Sequence, residues 1–360
     1  MAVEQHARPS EQLDSERLSA YLTDHLAGFT ALTRIRQYRT GFSNLTYELE
    51  TNLGTSVLRR PPFGPRHGSA HDMVREYGVL LGIAGLGGAG SLAPTPLLVC
   101  EDEAVLGAPF YLMEHVGGPI VRRAADGTFP HLAPAQLDTA ATSLARTLAR
   151  LHGASLEGTS LAQLGRPEGY VERQVEGWAR RFAKAKTDNL SSAEDIVAHL
   201  RENMPADTPG ALVHNDYKFD NVVFVDESYR DVAAVLDWEM CTVGNPLMDL
   251  GLTLAYWAHD DEVVEMPFLG VNCTHLPGCP RRDALVESYR SALTNGASAV
   301  PDDLTYYFVF GNFKIAGIVQ QIYARYAAGH TRDTRFAKLN YIVDYLLARA
   351  RRSMATGHIA

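Results

Sequence analysis

Between residues 211 and 239 the chain reads ALVHNDYKFDNVVFVDESYRDVAAVLDWE. Its runs of Val, Leu, Ala and Phe are short and rich in β-branched residues, the signature of brief strands. Between and after them stand His214, Asp216, Lys218, Asn221 and Asp237. Carboxylates beside such runs add nothing to a core unless something engages them. The fold must therefore bring short strands to an end at a polar site.

The rest of the chain divides by pattern. Ser10 is placed to cap a leading helix, 11–28, whose apolar stripe is Leu13, Leu18, Tyr21, Leu22 and Leu26. Strand-like runs follow: TRIRQY, LTYELE, TSVLRR, PLLVCE and APFYLMEHV, with TNLGT as a turn between the second and third. SAHDMVREYGVLLGI has helical spacing, and Gly117–Gly118 interrupts the pattern. This predicts a five-stranded sheet with one helix over 1–116, then a mainly helical body over 117–360. Helical periodicity covers 134–154, 168–185, 246–257, 281–294, 302–328 and 334–353.

An apolar content of 46% with 21% charged residues is that of a globular chain with a real core. A formal charge of −9 argues against a nucleic-acid groove. Four scattered cysteines fit a reducing, cytoplasmic setting better than a disulfide framework. Residues 79–100 carry no charge, but their glycines and prolines read as a helix end, a loop and a strand rather than a membrane span.

Phosphoryl transfer needs a carboxylate at the attacking hydroxyl, oxygen ligands for Mg2+ and positive charge on the phosphates. Asp216 can accept the hydroxyl proton, and Asn221 and, sixteen residues on, Asp237 can hold metal. Lys218 can stabilise charge on the group in transfer. The competing reading is that these residues only satisfy turn hydrogen bonds. The segment resembles the kinase catalytic loop and metal aspartate, and more narrowly the aminoglycoside phosphotransferase/choline kinase-like (APH) family, with its His-x-Asp-x-x-x-x-Asn motif and later LDW aspartate. LARTLARLHGA, ending near His152, is similar to the family helix before that loop, and GNPLMDLG to the segment after the aspartate, with Asp249 as a buttress. LPGCPRRDALVESY and FKIAGIVQQIYARYAAG resemble a bacterial branch related to the kinase-like domains fused to some acyl-CoA dehydrogenases. Two departures stand out: HND where HGD is usual, and GNP, with Asn245, where GDP is usual.

The resemblance implies an α+β, bilobal protein-kinase-like fold that binds ATP and Mg2+. It places a phosphate-covering loop at RTGFSNLTYEL, where Gly41 permits the turn and Ser43 and Asn44 offer backbone N–H groups. Arg59 takes the place of the usual phosphate lysine, with Arg60 the competing register, and Glu76 is its helix partner. Glu114 and Val116 would form the hinge that pairs with adenine through backbone atoms, or simply the end of a buried strand.

GLGGAG at 85–90 follows a helical pattern and so lacks the strand that a dinucleotide fingerprint requires. Cys273, His275 and Cys279 are three zinc-type ligands where a structural site wants four, and a loop with free thiols is the plainer reading. AHDDEVVE at 258–265 reads as a solvated acidic face, or as a site for a cationic substrate. Eleven residues between Asp237 and Asp249 leave no room for a peptide-presenting loop, so the acceptor is a small hydroxylated molecule. From Lys314 onward eight Lys/Arg face two acids, a charge of +6 that would favour an anionic acceptor such as a hydroxyacyl-CoA over an aminoglycoside. A nucleotide-binding regulatory module without turnover is the competing class.

Overall fold

The computed structural model describes residues 3–38, 44–63, 72–86, 92–124, 127–187, 191–265, 273–293, 300–330 and 334–359. The chain forms two compact units, Met1–Gly118 with Ala233–Met240, and Pro119–Val232 with Cys241–Ala360. Among the described residues no helix is long and apolar enough to cross a membrane.

The first unit contains β1 (Glu4–His6), α1 (Ser15–His25), β2 (Leu32–Tyr38), β3 (Leu45–Thr51), β4 (Gly54–Arg60), α2 (Met73–Ala84), β5 (Pro96–Cys100), α3 (Glu103–Leu106) and β6 (Phe110–Glu114). Its sheet runs β1-β2-β3-β4-β6-β5. Six strands stand where five were predicted. The extra one, β1, is only three residues long and pairs in parallel with β2, aligning Gln5 with Ile35. So short a strand has no legible alternation; backbone pairing and the Gln5 amide on the Leu13 carbonyl (2.9 Å) hold it. The leading helix is also shorter than 11–28. Asp14, not Ser10, caps it by accepting from the Arg17 N–H, while Ser10 lies within a separate tight turn, Pro9–Glu11. Leu18 and Leu22 of α1 meet Ile35, Tyr47, Leu49, Leu58 and Leu112 of the sheet in one buried cluster. Strand alternation turns the neighbour of Leu58, Arg59, to the opposite face.

The second unit contains α4 (Pro134–His152), α5 (Tyr170–Lys184), α6 (Glu194–Glu202), β7 (Ala211–Val213) and β8 (Val222–Phe224). β9 (Val232–Val235) leads into the segment that belongs to the first unit. Then come β10 (Thr242–Gly244), α7 (Pro246–Tyr256), α8 (Asp260–Glu265), α9 (Arg282–Ala292), α10 (Thr305–Ala327) and α11 (Leu339–Thr356). β7 pairs antiparallel with β10. α6, α8 and α3 were not legible in the sequence, being short and, for α8, almost wholly acidic in its first turn.

α7 and α10 cross where each presents a glycine. A Cβ on Gly251 would lie 2.4 Å from the Tyr307 carbonyl oxygen, and one on Gly311 would lie 2.5 Å from that of Gly251. Backbone-to-backbone approach of this kind tolerates no side chain.

The acidic stretch 258–265 is not a solvated face throughout. Glu262 is buried and pairs with Arg282 (2.5 Å) and Arg349 (3.2 Å), while its Oε2 also accepts from the His259 N–H (2.9 Å). The two guanidinium groups also donate to carbonyls at the end of α7: Arg282 to Leu254 and Trp257, Arg349 to Ala255. They satisfy the C-terminal acceptors that a helix leaves open. Burial alone would raise the Glu262 carboxyl, but Arg349 and Arg282 hold it down at about 2.

Gly251→Ala should lower the denaturant midpoint by the equivalent of about 1–3 kcal/mol through overpacking, whereas Gly78→Ala, on an open face of α2, should raise stability by about 0.5–1 kcal/mol. Glu262→Gln should cost about 3–5 kcal/mol at neutral pH by leaving two buried cations without their acid. Because the folded carboxyl titrates below its ordinary 4.5, its stabilisation is complete above that pH and is lost as pH falls towards 2. Unfolding curves taken from pH 7 to pH 2.5 should therefore show the wild type converging on the variant.

Candidate active site

The loop after β7 is built around a buried acid. Asp249, in the first turn of α7, accepts the backbone N–H groups of His214 (2.6 Å) and Asn215 (2.8 Å). His152, the last residue of α4, brings its Nε2 to the same carboxylate at 3.2 Å, and its Nδ1 lies 2.7 Å from the Tyr289 hydroxyl. A tautomer with Nε2–H donating and Nδ1 accepting satisfies both contacts. Burial would raise the Asp249 carboxyl, but the hydrogen bonds from His152 and from the His214 N–H hold it below the ordinary value. Both family departures are accommodated. Asn215 sits at φ +67°, a left-handed conformation that Asn tolerates better than most residues other than glycine. Asn245 caps α7, its Oδ1 accepting from the Leu247 N–H at 2.9 Å as an aspartate would.

Asp216 follows with three side-chain donors on its carboxylate. Lys218 Nζ reaches Oδ2 at 2.6 Å, Asn221 Nδ2 reaches Oδ2 at 3.1 Å, and the Tyr256 hydroxyl donates to Oδ1 at 2.8 Å. Asn221 also donates to the Asp216 carbonyl at 2.9 Å, so its amide nitrogen is spent locally and its carbonyl oxygen is the atom left to offer a cation. Lys218 Nζ also lies 4.9 Å from the centre of the Tyr256 ring. Tyr256 was missed in the sequence, although Asp249, Thr253 and Tyr256 fall at helical spacing on one face of α7. Thr253 confirms that face by donating to the Tyr217 carbonyl at 3.0 Å. Burial, then the Asp216 charge, pushes the Tyr256 phenol well above its ordinary 10, so it remains a donor.

Within the first unit a second cluster converges on Arg59. Its guanidinium bonds Glu76 of α2 at 2.7 Å and Asp237 at 3.0 Å, with Glu239 at 3.5 Å. Arg60 points to the other face, donating to the Leu106 and Pro61 carbonyls at 3.0 Å each and stacking on Phe63, so Arg59 is the arginine that meets Glu76. Burial would lower the Arg59 guanidinium, yet Glu76, Asp237 and Glu239 raise it well above its ordinary range. Its Nε is buried with no acceptor among the described residues, a donor suited to a phosphate oxygen. Asp237, like Asn215, is left-handed at φ +67°, and its side chain keeps 35% exposure. Glu239 was missed in the sequence; it takes the Asn44 amide at 2.9 Å, while its carbonyl accepts from Arg75 at 3.1 Å. Elsewhere in the unit, the Glu114 N–H donates to the Thr95 carbonyl (2.8 Å) and its carboxylate accepts from the Thr95 hydroxyl (2.7 Å), with Val116 half-buried beyond it. Gly41 and Ser43 lie outside the described residues.

Part of the C-terminal excess of positive charge is engaged inside the fold or in ion pairs. Lys314 is buried and bonded to Asn215, Arg349 is buried on Glu262, and Arg351 pairs with Asp195 at 2.6 Å. Cys273 is buried, which pushes its thiol up to about 12, and His275 packs edge-on against Phe129. The oxygen donors Asn221 and Asp237 suit a hard cation such as Mg2+ better than these thiols do.

The Arg59 cluster has a measurable signature. Arg59→Met should destabilise the protein by about 3–5 kcal/mol because Glu76 is left buried without its cation, and adding Glu76→Leu should restore much of that loss. Chemical denaturation of the two single variants and the double variant would read the coupling.

The sequence pattern of the phosphotransferase enzyme family APH matches residues 34–271. Acyl-CoA dehydrogenase family member 11 of Homo sapiens is 34% identical over 329 residues, covering 89% of this chain and 40% of that protein. The chain thus spans about 40% of the length of such curated relatives. The homoserine kinase of Methylobacterium nodulans is 24% identical, covering 70% of this chain and 72% of its own length. Among solved structures, a Ralstonia eutropha JMP134 protein provisionally described as an aminoglycoside phosphotransferase superposes with a TM-score of 0.75 at 26% identity, covering 95% of this chain and 99% of its own. A choline/ethanolamine kinase family protein from Mesorhizobium loti shares the fold at a TM-score of 0.56 and 17% identity, with 95% of each chain covered. The chain belongs to the APH phosphotransferase enzyme family.

Proposed function

We propose that the protein is a small-molecule kinase that transfers the γ-phosphoryl group of ATP, in the presence of Mg2+, to a hydroxyl of its acceptor. The observation that supports this most is the arrangement around Asp216. Its Oδ2 takes Lys218 and Asn221, whereas its Oδ1 takes only Tyr256 among the described residues, which leaves a lone pair on Oδ1 for an acceptor O–H. Asp216 would orient that hydroxyl and take its proton. Lys218, already on the carboxylate, would add positive charge as negative charge spreads over the transferring group. Asn221 and Asp237 would present carbonyl and carboxylate oxygens to Mg2+, and Arg59, braced by Glu76, would bind phosphate. Asn44, with Gly41 and Ser43, would cover the phosphates, and the backbone at Glu114 and Val116 would hold adenine. When bound, Mg2+ neutralises phosphate charge; the chain's part is positioning and fixed electrostatics.

The acceptor class rests on less. An anionic metabolite such as a hydroxyacyl-CoA was favoured by a basic C-terminal wall, and that support weakens with Lys314, Arg349 and Arg351 engaged inside the fold. The short Asp237–Asp249 segment still favours a small molecule over a protein.

Thermal unfolding with ATP and Mg2+, against ATP with EDTA, tests the reading. Saturation at a hundred times Kd stabilises the fold by about 2.7 kcal/mol. A magnesium-dependent shift should appear in the wild type and disappear in Asp237→Ala. Asp216→Asn should keep the shift while losing about 10²–10⁴ in the rate of phosphoryl transfer, measured as γ-phosphate release to water. A shift with no release would support a binding module instead, and no shift would overturn the kinase reading.

A further inference from the structure

α10 carries one cation with no access to solvent. Lys314 is 1% exposed, and its Nζ donates to the main-chain carbonyl of Asn215 at 3.2 Å and to that residue's side-chain oxygen at 3.0 Å. The Tyr170 hydroxyl donates to the same side-chain oxygen at 3.2 Å. The Trp178 ring centre lies 5.8 Å from Nζ, close enough for its π-face to favour the ammonium. Burying an ammonium is costly, and one held this way has been given a defined task or a severe penalty.

Asn215 is the residue on which Asp216 hangs. Its N–H is fixed by Asp249 of α7, and its two oxygens are fixed by Lys314 of α10. Groups of opposite charge on two crossing helices thus hold the peptides on either side of one left-handed residue. A rotation there would swing Asp216 and break both sets of bonds. The asparagine matters as well, since a glycine would supply the backbone conformation but not the second oxygen.

We propose that Lys314 is a positioning residue for phosphoryl transfer, whose ammonium acts through Asn215 to hold Asp216 in its reactive orientation. The inference rests on the kinase reading above. It extends that reading to a residue which touches neither acceptor nor nucleotide. A consequence is an alkaline limit on the reaction. Burial pushes the Lys314 ammonium down to about 8, with Asp249 and Asp216 pulling it up and Arg181 pushing it further down. Tyr170, the other titratable group at the contact, is itself pushed up by burial and stays a neutral donor. As Lys314 loses its proton, the charge-assisted bonds to Asn215 weaken and Asp216 loses its anchor.

The test uses the full chain with Mg-ATP and water as acceptor, alongside amide resonances of Asn215 and Asp216 followed by NMR from pH 6.5 to 10.5. In the wild type both amides should titrate near pH 8, and the hydrolysis rate should fall over the same range. In Lys314→Met the amide titration and the alkaline limb should vanish, and kcat should drop about tenfold or more while KM for ATP stays within about twofold. Asn215→Gly should lose about threefold in kcat, the loss expected for one hydrogen bond, and the double variant should be no worse than Lys314→Met alone. A folded Lys314→Met with wild-type kcat and pH profile would overturn the proposal. If Lys314→Met does not fold, Asn215→Gly decides: an unchanged kcat and unchanged alkaline limb sink the idea. If the wild type neither binds nor hydrolyses Mg-ATP, the kinase reading fails and takes the catalytic role with it. The amide titration would then still separate that failure from a wrong assignment of the Lys314 contact.

Discussion

Asp249 is an acid buried to 1% exposure, and two consecutive backbone N–H groups, those of His214 and Asn215, point at its oxygens. A carboxylate removed from water must collect several donors or lose its charge, and the loop after β7 supplies them. The loop is therefore shaped by the needs of a buried ion. Asp249 in turn stands where it does because α7 packs closely against α10 at Gly251 and Gly311, and because Asn245 starts the helix just before it. His152 at the end of α4 completes the set, so residues from three distant parts of the chain determine the path of a few loop residues.

The first unit solves a related problem with the sign reversed. Arg59 is a buried cation, and three acids, Glu76, Asp237 and Glu239, gather round it. A guanidinium suits this better than an ammonium, because its planar array of five N–H donors can serve several acceptors at once and still leave Nε over. The replacement of the family's usual lysine by arginine is thus consistent with a denser acid cluster at this position. It also accounts for Glu239, which a lone ammonium would have little capacity to hold.

Net charge proved a poor guide to where charge acts. The stretch AHDDEVVE and the basic C-terminal segment looked in sequence like two separate surface features. Glu262 and Arg349 instead pair with each other in the interior, and both join Arg282 at the end of α7. Lys314 went the same way, from a supposed wall charge to a buried donor on Asn215 in the loop after β7. A helical pattern shows which face is apolar, but a single ionic residue on that face has no periodic signature of its own.

The sequence by itself determined the order of the longer strands and helices, the place of the polar loop, the family and most of the residues proposed for the site, because these are local facts. Alternation, helical spacing and the His-x-Asp-x-x-x-x-Asn motif are all carried within a few residues of one another. It also located Asp249 as a buttress, through a motif. Only the tertiary structure decided what holds Asp216, that Arg59 and not Arg60 meets Glu76, and that Tyr256, Glu239 and Lys314 serve the two clusters. Tyr256 lies 40 residues from Asp216, and Lys314 lies 99 residues from Asn215. Hydrogen bonds and ion pairs act over about 3 Å of space whatever the separation along the chain, so partners set by folding leave no mark in local pattern.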